Sequence, residues 1–332
     1  MQRALTTAKH FHGASTMVKI IAGLMGSSVQ SGSTKMSSPD QLRPILDLLS
    51  KHNVRQLDTA RVYNSGKSEQ DLGAIPEAQQ NFQIATKAPG FSPGSLAYQK
   101  VIDNCNASLK ALNQKQIPLY YFHGPDRETP LEESCKAINQ LHQEGKIGAF
   151  GVSNFNEQEV EWIYSICDKN GWILPTVYQG GFNPLSRTAE TALFPTLRKL
   201  NMSFYAFSPL AAGFFSRSKE DLVTPPKGGR MDQMKFIKDM VVNDLSLKLH
   251  DELTAACDKE GLTLKAATLR YLANHSALED EDGIILGASS AEQMEENLKA
   301  VEGGKLPESV VQAFEELWKE YREGGYEPAY CV

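Results

Sequence analysis

Asp58, Tyr63, Lys87 and His123 supply one carboxylate, one phenol, one amine and one imidazole, the set needed to move a proton onto a polarised oxygen. Each stands where a short apolar run gives way to polar residues. Asp58 lies near the end of VRQLDTA (54–60), and Tyr63 follows five residues on, in RVYNSG. Lys87 ends FQIATK (82–87), and His123 follows IPLYYF (117–122). Singly, each has an ordinary structural reading. An aspartate at a strand end caps a turn, a tyrosine decorates a loop, a lysine snorkels to solvent and a histidine hydrogen-bonds in the core. Together they make a proton-transfer group. A free phenol titrates near pH ~10, too high for acid–base work at neutrality. A nearby ammonium stabilises the phenolate and lowers that value. A buried ammonium itself requires a partner, which Asp58 can be. His123 would then orient the oxygen that Tyr63 protonates. The pattern suits carbonyl reduction, in which hydride adds to carbon and a proton to oxygen. No side chain donates hydride, so a cofactor is implied.

Such residues need strands to carry them. Eight strand-like runs recur: 18–24, 54–59, 82–87, 118–123, 148–153, 175–179, 203–208 and 283–288. Helical patterns lie between them. Val101, Ile102, Cys105, Leu109 and Leu112 form one apolar stripe. Thr129-Pro130-Leu131-Glu132 reads as an N-cap, a first-turn proline and a capping-box acid. Asn156 and Glu159 open another helix, which Gly171 ends. Alternation at this count predicts a single α/β domain, a (β/α)8 TIM barrel over 17–332 behind a flexible tail at 1–16. A doubly wound fold is the competitor, but no G-x-G-x-x-G follows any predicted strand. Residues 211–236, with Pro225-Pro226 and Gly228-Gly229, read as one long active-site loop.

The composition permits a large core: 332 residues, 41% hydrophobic and 22% charged. A net charge of −6 argues against nucleic acid or an anionic membrane surface as partner. No apolar run approaches the roughly 18 residues of a membrane span. The five cysteines are widely spaced without a C-x-x-C pair, which predicts buried free thiols. A cytoplasmic location is expected. Residues 1–16, with Arg3 and Lys9 and no acid, only faintly resemble a mitochondrial transit peptide.

LDTARVYNSGKSE (57–69), ATK (85–87), YFHGPD (121–126) and FGVSNF (150–155) resemble the signatures of the aldo-keto reductase superfamily. LHQEGKIGAFGVSNF (141–155), GWILPTVYQGGFNPLSR (171–187), FYAFSPLAAG (204–213) and ILGASSAEQMEENL (285–298) resemble its aflatoxin-aldehyde-reductase-like branch. The resemblance implies a barrel enzyme that uses NADPH/NADP⁺ to reduce aldehydes, dialdehydes or other dicarbonyls to alcohols. It makes Tyr63 the general acid, tuned by Lys87 and Asp58, with His123 orienting the carbonyl. It assigns the nicotinamide carboxamide to Ser153, Asn154 and Gln179, and ring stacking to Phe207. Ser208, Leu210 and Gly213 would line the pyrophosphate, with Arg230 as a further cofactor contact. Ser289, Ser290, Gln293 and Asn297 would meet the adenosine end, although Ser290 and Gln293 also read as a plain capping box. Gln293 occupies the position where many relatives place an arginine for the 2′-phosphate, so the NADPH preference rests on the family and on Arg230. The branch has a longer segment after the Arg230 position, with residues that contact acidic substrates. MDQMKFIKDM (231–240) offers no match for these, and YEPAYCV (326–332) resembles the branch's ending. A non-catalytic, cofactor-binding subunit like the potassium-channel β-subunit relatives is the alternative. A metal-dependent hydrolase is set aside because only Asp58 and His123 would qualify as ligands; no metal is expected. A homodimer is compatible with the sequence.

Overall fold

The computed structural model describes residues 18–25, 36, 38–227, 230–233 and 235–326. The predicted tail and the chain beyond Tyr326 lie outside the described residues. Eight strands run β1 (Lys19–Gly23), β2 (Gln56–Asp58), β3 (Gln83–Ala88), β4 (Ile117–Phe122), β5 (Ile147–Ser153), β6 (Pro175–Gly181), β7 (Ser203–Phe207) and β8 (Gly283–Gly287). They pair in sequence order, all parallel, and β8 closes on β1. All eight predicted strands are present, and β2 is the most shortened.

Most strands carry apolar residues on both faces, as a covered parallel sheet requires, while β2 and β3 turn Gln56, Asp58, Gln83 and Lys87 inward. Ile84, Tyr120, Phe122, Phe150, Tyr178, Phe204 and Ile284 face outward into the main core against the helices. Ile21, Tyr121, Val177, Tyr205 and Ile285 form a separate, smaller cluster inside the barrel. A Cβ added to Gly151 would meet the Tyr121 ring at 2.4 Å, so β5 carries glycine where the tyrosine crosses the interior.

Helices α1 (Pro39–Lys51), α2 (Lys67–Gly73), α3 (Pro76–Asn81), α4 (Tyr98–Leu112), α5 (Leu131–Gln143), α6 (Glu157–Asn170) and α7 (Leu193–Lys199) cover the first seven strands. α6 carries the predicted capping box, Asn156 with Glu159, and ends at Gly171 with φ +64°. α5 departs from prediction. It starts at Leu131 without a side-chain cap, because the Thr129 hydroxyl donates instead to Asp126 Oδ2 at 2.6 Å. That carboxylate also accepts from Leu96 N (3.0 Å), so it ties two loops together.

After β7 the predicted long loop is structured. A 3₁₀ stretch, Ala211–Ser216, buries Phe214 and Phe215. Then come α8 (Lys219–Val223), α9 (Arg230–Gln233) and α10 (Lys235–Val241). The apolar pair anchors what prolines and glycines alone suggested was irregular. α11 (Asp244–Lys259), α12 (Leu264–Asn274), α13 (Ala291–Glu302) and α14 (Glu308–Glu323) complete the outer layer.

The floor of the barrel has its own clamp. Asp282, fully buried before β8, accepts from Phe204 N (2.7 Å) and Glu279 N (2.8 Å). Arg198 on α7 grips both its oxygens, at 3.0 and 2.5 Å. Cys105, Cys135, Cys167 and Cys257 are buried and free, as predicted; Cys331 lies outside the described residues. Among the described residues no helix is long and apolar enough to cross a membrane.

Candidate active site

The barrel gathers the four predicted residues at the carboxyl ends of β2, β3 and β4. Asp58 is the last residue of β2, Lys87 the penultimate residue of β3, and His123 the first after β4. Lys87 is fully buried. Its ammonium donates to Asp58 Oδ1 (2.6 Å) and to Thr59 O (2.7 Å), and the Tyr63 hydroxyl is its third partner. The ammonium lies 5.2 Å from the centre of the Tyr63 ring. Burial alone would lower the lysine pKa, but Asp58 and then Tyr63 outweigh it, so the net shift is upward and the group stays charged. The other Asp58 oxygen accepts from Gln179 Nε2 at 2.8 Å. Gln179, assigned from the resemblance to the carboxamide, thus also steadies the aspartate.

Tyr63 opens a 3₁₀ turn, Tyr63–Gly66, in which Asn64, Ser65 and Gly66 all take positive φ (49°, 54° and 86°). A turn this contorted needs an external hold. Glu69 on α2 is fully buried and accepts from Arg61 Nη1 (2.6 Å) and from Thr86 Oγ1 (2.7 Å). Arg61 belongs to the tyrosine loop and Thr86 precedes Lys87, so one carboxylate ties the phenol's loop to the lysine's strand. Glu69 ends the motif LDTARVYNSGKSE (57–69), but nothing in the sequence signals its role. An acid on a predicted helix reads as solvated until its partners are known.

The His123 ring packs edge-on against Tyr63, centroids 5.6 Å apart, and against Phe91 at 5.8 Å. Burial, and then the Lys87 charge, hold its pKa down to about 3, so the imidazole is neutral at physiological pH. A neutral imidazole keeps one N–H donor. Phe91 is exposed and has φ +67°, a conformation a phenylalanine rarely adopts.

The predicted cofactor residues ring the same mouth. Ser153 ends β5, and Asn154 follows with φ +63°. Asn154 Nδ2 donates to His123 O (2.8 Å) and to Ser153 Oγ (3.0 Å), so its remaining head atom is an acceptor oxygen. Phe207 ends β7 beside the interior cluster. The following loop is strained: Ser208, Ala211 and Ala212 have φ of 54°, 48° and 56°, and Gly213 has 103°. Asn183 Nδ2 braces it through Ser208 O at 3.2 Å. Runs of positive-φ backbone cluster at ligand clamps and aim N–H groups into anion-binding hollows. At the head of α13, Ser290 Oγ accepts from Gln293 N (3.3 Å). The predicted capping box is only half formed, because Gln293 Oε1 instead accepts from Ser289 N (3.0 Å) and Ser289 Oγ (2.8 Å). Asn297 is buried and donates to Gly287 O at 3.2 Å, pinning α13 to β8. Leu210 precedes the 3₁₀ stretch. Arg230 opens α9, but its side chain lies outside the described residues. The amides, the positive-φ backbone and the helix start are chemically suited to a dinucleotide carrying a carboxamide and phosphates. Among the described residues no group of three or more His, Cys, Asp or Glu is placed to hold a metal ion.

Known proteins resemble this chain in sequence. The family described as Aldo/keto reductase matches residues 19–319. "Oxidoreductase sirO" of Leptosphaeria maculans is 39% identical over 88% of this chain and 89% of its own length. "Aflatoxin B1 aldehyde reductase member 2" of Rattus norvegicus is 38% identical over 81% of this chain and 77% of its own. "Aflatoxin B1 aldehyde reductase member 4" of Homo sapiens is 38% identical over 79% and 84%. With its closed parallel barrel and a match along most of its length, the chain belongs to the aldo/keto reductase family.

Proposed function

We propose that this protein is an NADPH-dependent reductase that converts aldehydes, dialdehydes and other dicarbonyls to alcohols, with Tyr63 as general acid. The observation that carries the reading is the fully buried Lys87 ammonium, shared between the Asp58 carboxylate and the Tyr63 hydroxyl. Bound NADPH would supply the hydride to the carbonyl carbon. The protein's part is electrostatic and positional. The carbonyl oxygen seats between the Tyr63 hydroxyl and an N–H of neutral His123, and both donors polarise it. As charge grows on that oxygen, Tyr63 gives up its proton, and Lys87 stabilises the phenolate left behind. Asp58 keeps the lysine charged and in place, while Glu69 fixes the loop that presents the phenol.

Ser153, Asn154 and Gln179 would orient the carboxamide, Phe207 would back the ring, and the strained loop at 208–213 with the start of α13 would hold the phosphates. The names of the two mammalian relatives support aldehydes as the substrate class. Following NADPH absorbance with a panel of aldehydes, dialdehydes and diketones tests the reading. Turnover with aldehydes is expected, together with tighter binding of NADPH than NADH by fluorescence titration. Cofactor binding without turnover of any carbonyl would overturn the catalytic assignment in favour of a binding subunit.

A further inference from the structure

The barrel has a second opening to its chemistry. A cavity of about 180 Å³ occupies the amino-terminal half of the barrel interior, opposite the mouth. Its rim includes Gln56 and Gln83 at the starts of β2 and β3, its wall Ala149 and Tyr205, and its inner end Tyr121 and Asp58. The register separates it from the mouth: Gln83 and Ala85 of β3 line the cavity, whereas Lys87 serves the active site. The four residue steps from Gln83 to Lys87 span roughly 13 Å. Gln83 is exposed, and Ala85 and Ala149 remain partly accessible although both lie within strands. Solvent therefore reaches deep into the barrel from its amino-terminal face, as far as the described residues define it.

The lining is suited to water. At ~30 Å³ per molecule the space holds about six. The Tyr205 hydroxyl is engaged by Gln56, and both glutamine amides offer donors and acceptors. Tyr121 is fully buried, and its hydroxyl meets no protein partner at good hydrogen-bond geometry, the Gln179 amide interacting with it only loosely. Its ring centre lies 5.6 Å from the Lys87 ammonium. Burial, then Asp58 and Tyr205, push its pKa well above the usual phenol value, so the hydroxyl stays protonated.

We propose that this shaft is a water-filled proton route from the amino-terminal face to Asp58, by which the acid–base group is recharged while cofactor and substrate close the mouth. The route rests on the reading of Tyr63 as general acid. Each reduction leaves Tyr63 as phenolate. Lys87 passes one proton to the phenolate oxygen and becomes a neutral amine. A proton entering from bulk solvent hops along the shaft waters and the Tyr121 hydroxyl to the Asp58 carboxylate. Asp58 hands it to the Lys87 amine and is itself restored. One solvent proton is consumed per carbonyl reduced, and the side chains return to their starting states.

Ala149 lines the shaft and is not a member of the proton-transfer group, so it is the place to block it. NADPH-saturated Ala149→Cys protein, treated with methyl methanethiosulfonate, is mixed with an aldehyde in weak buffer containing a pH-indicator dye. NADPH loss and proton uptake are followed together through a single turnover. The expected result is NADPH loss at the untreated rate, with proton uptake delayed about tenfold or more; wild type given the same reagent should show no lag. Proton uptake that keeps pace with NADPH loss in the modified protein would overturn the route. An introduced thiol that never reacts would overturn it equally, because solvent would not reach the shaft. Absence of NADPH loss in wild type is a different failure, that of the reductase reading itself. Ala149→Leu, which fills the same space without a reagent, should reproduce the lag.

Discussion

Two buried carboxylates hold a cation at opposite ends of the barrel, and they do different work. Asp282 at the floor is gripped at both oxygens by Arg198 and also accepts from two backbone N–H groups. Asp58 at the mouth accepts from Lys87 and Gln179. Arginine is a permanently charged, planar fork, so the floor pair has no state to change and serves to lock α7, β7 and β8 together. Lysine is a single titratable centre with three donors, and Lys87 spends one of them on a phenol. The same ionic motif is structural where the cation is fixed and, in the proposed mechanism, chemical where the cation can give up a proton beside another acid.

The largest effect should come from Lys87→Met. It leaves Asp58 buried without its counter-charge, which costs roughly 3–5 kcal/mol of stability, and it removes the phenol's partner, so reductase turnover should vanish. Denaturant titration and NADPH oxidation measure the two losses. A variant as stable as wild type would erase the contrast with the floor. Tyr63→Phe should separate the two roles of the mouth, lowering kcat by about 10²–10⁴-fold while NADPH affinity stays unchanged by fluorescence titration. Turnover near the wild-type value would take Tyr63 out of the mechanism.

Arg198→Met is the matching cut at the floor. Asp282 keeps its two backbone donors, and Arg198 is partly exposed, so the loss should be about 1–3 kcal/mol. The turnover of the folded fraction should not change. A fall in kcat at full folding would mean that the two ends are coupled. The last effect concerns pH. His123 has its folded pKa depressed to about 3, against an unfolded value of about 6.5. Between those values the unfolded chain binds the extra proton. Stability therefore falls as pH drops below about 6.5, by up to ~1.4 kcal/mol per unit, until the folded pKa is reached. His123→Asn should flatten that acid limb in thermal melts across pH, and an unchanged limb would show that His123 is already neutral-favouring when unfolded.

Both strand ends and chemistry were legible where a residue's type contradicts its surroundings. Asp58, Lys87 and His123 interrupt apolar runs, and that interruption marks the mouth. The floor gave no such signal, because Asp282 follows a run of acids and reads as surface. Glu69 was hidden for the same reason. The cap expected at Thr129 failed because a nearby carboxylate competes for the hydroxyl, and that competition depends on loop packing. The shaft could not be read at all. Parallel strands are apolar on both faces, so nothing in FQIATK or GAFGVS tells that Ala85 and Ala149 face an interior and leave it unfilled.

The strained turn after β7 has a consequence for anyone who would engineer this barrel. Ala211 and Ala212 hold a backbone shape that costs an L-residue roughly 1–2 kcal/mol each. Folding meets that cost before any ligand arrives, so on the proposed reading the loop is shaped for the cofactor phosphates in advance. Glycine at Ala212 would remove the strain and also widen the loop's freedom in the unbound protein. If the loop holds the dinucleotide as proposed, heat tolerance and cofactor grip should respond in opposite directions to one methyl group, which would limit how far this end of the molecule can be stabilised without weakening its hold.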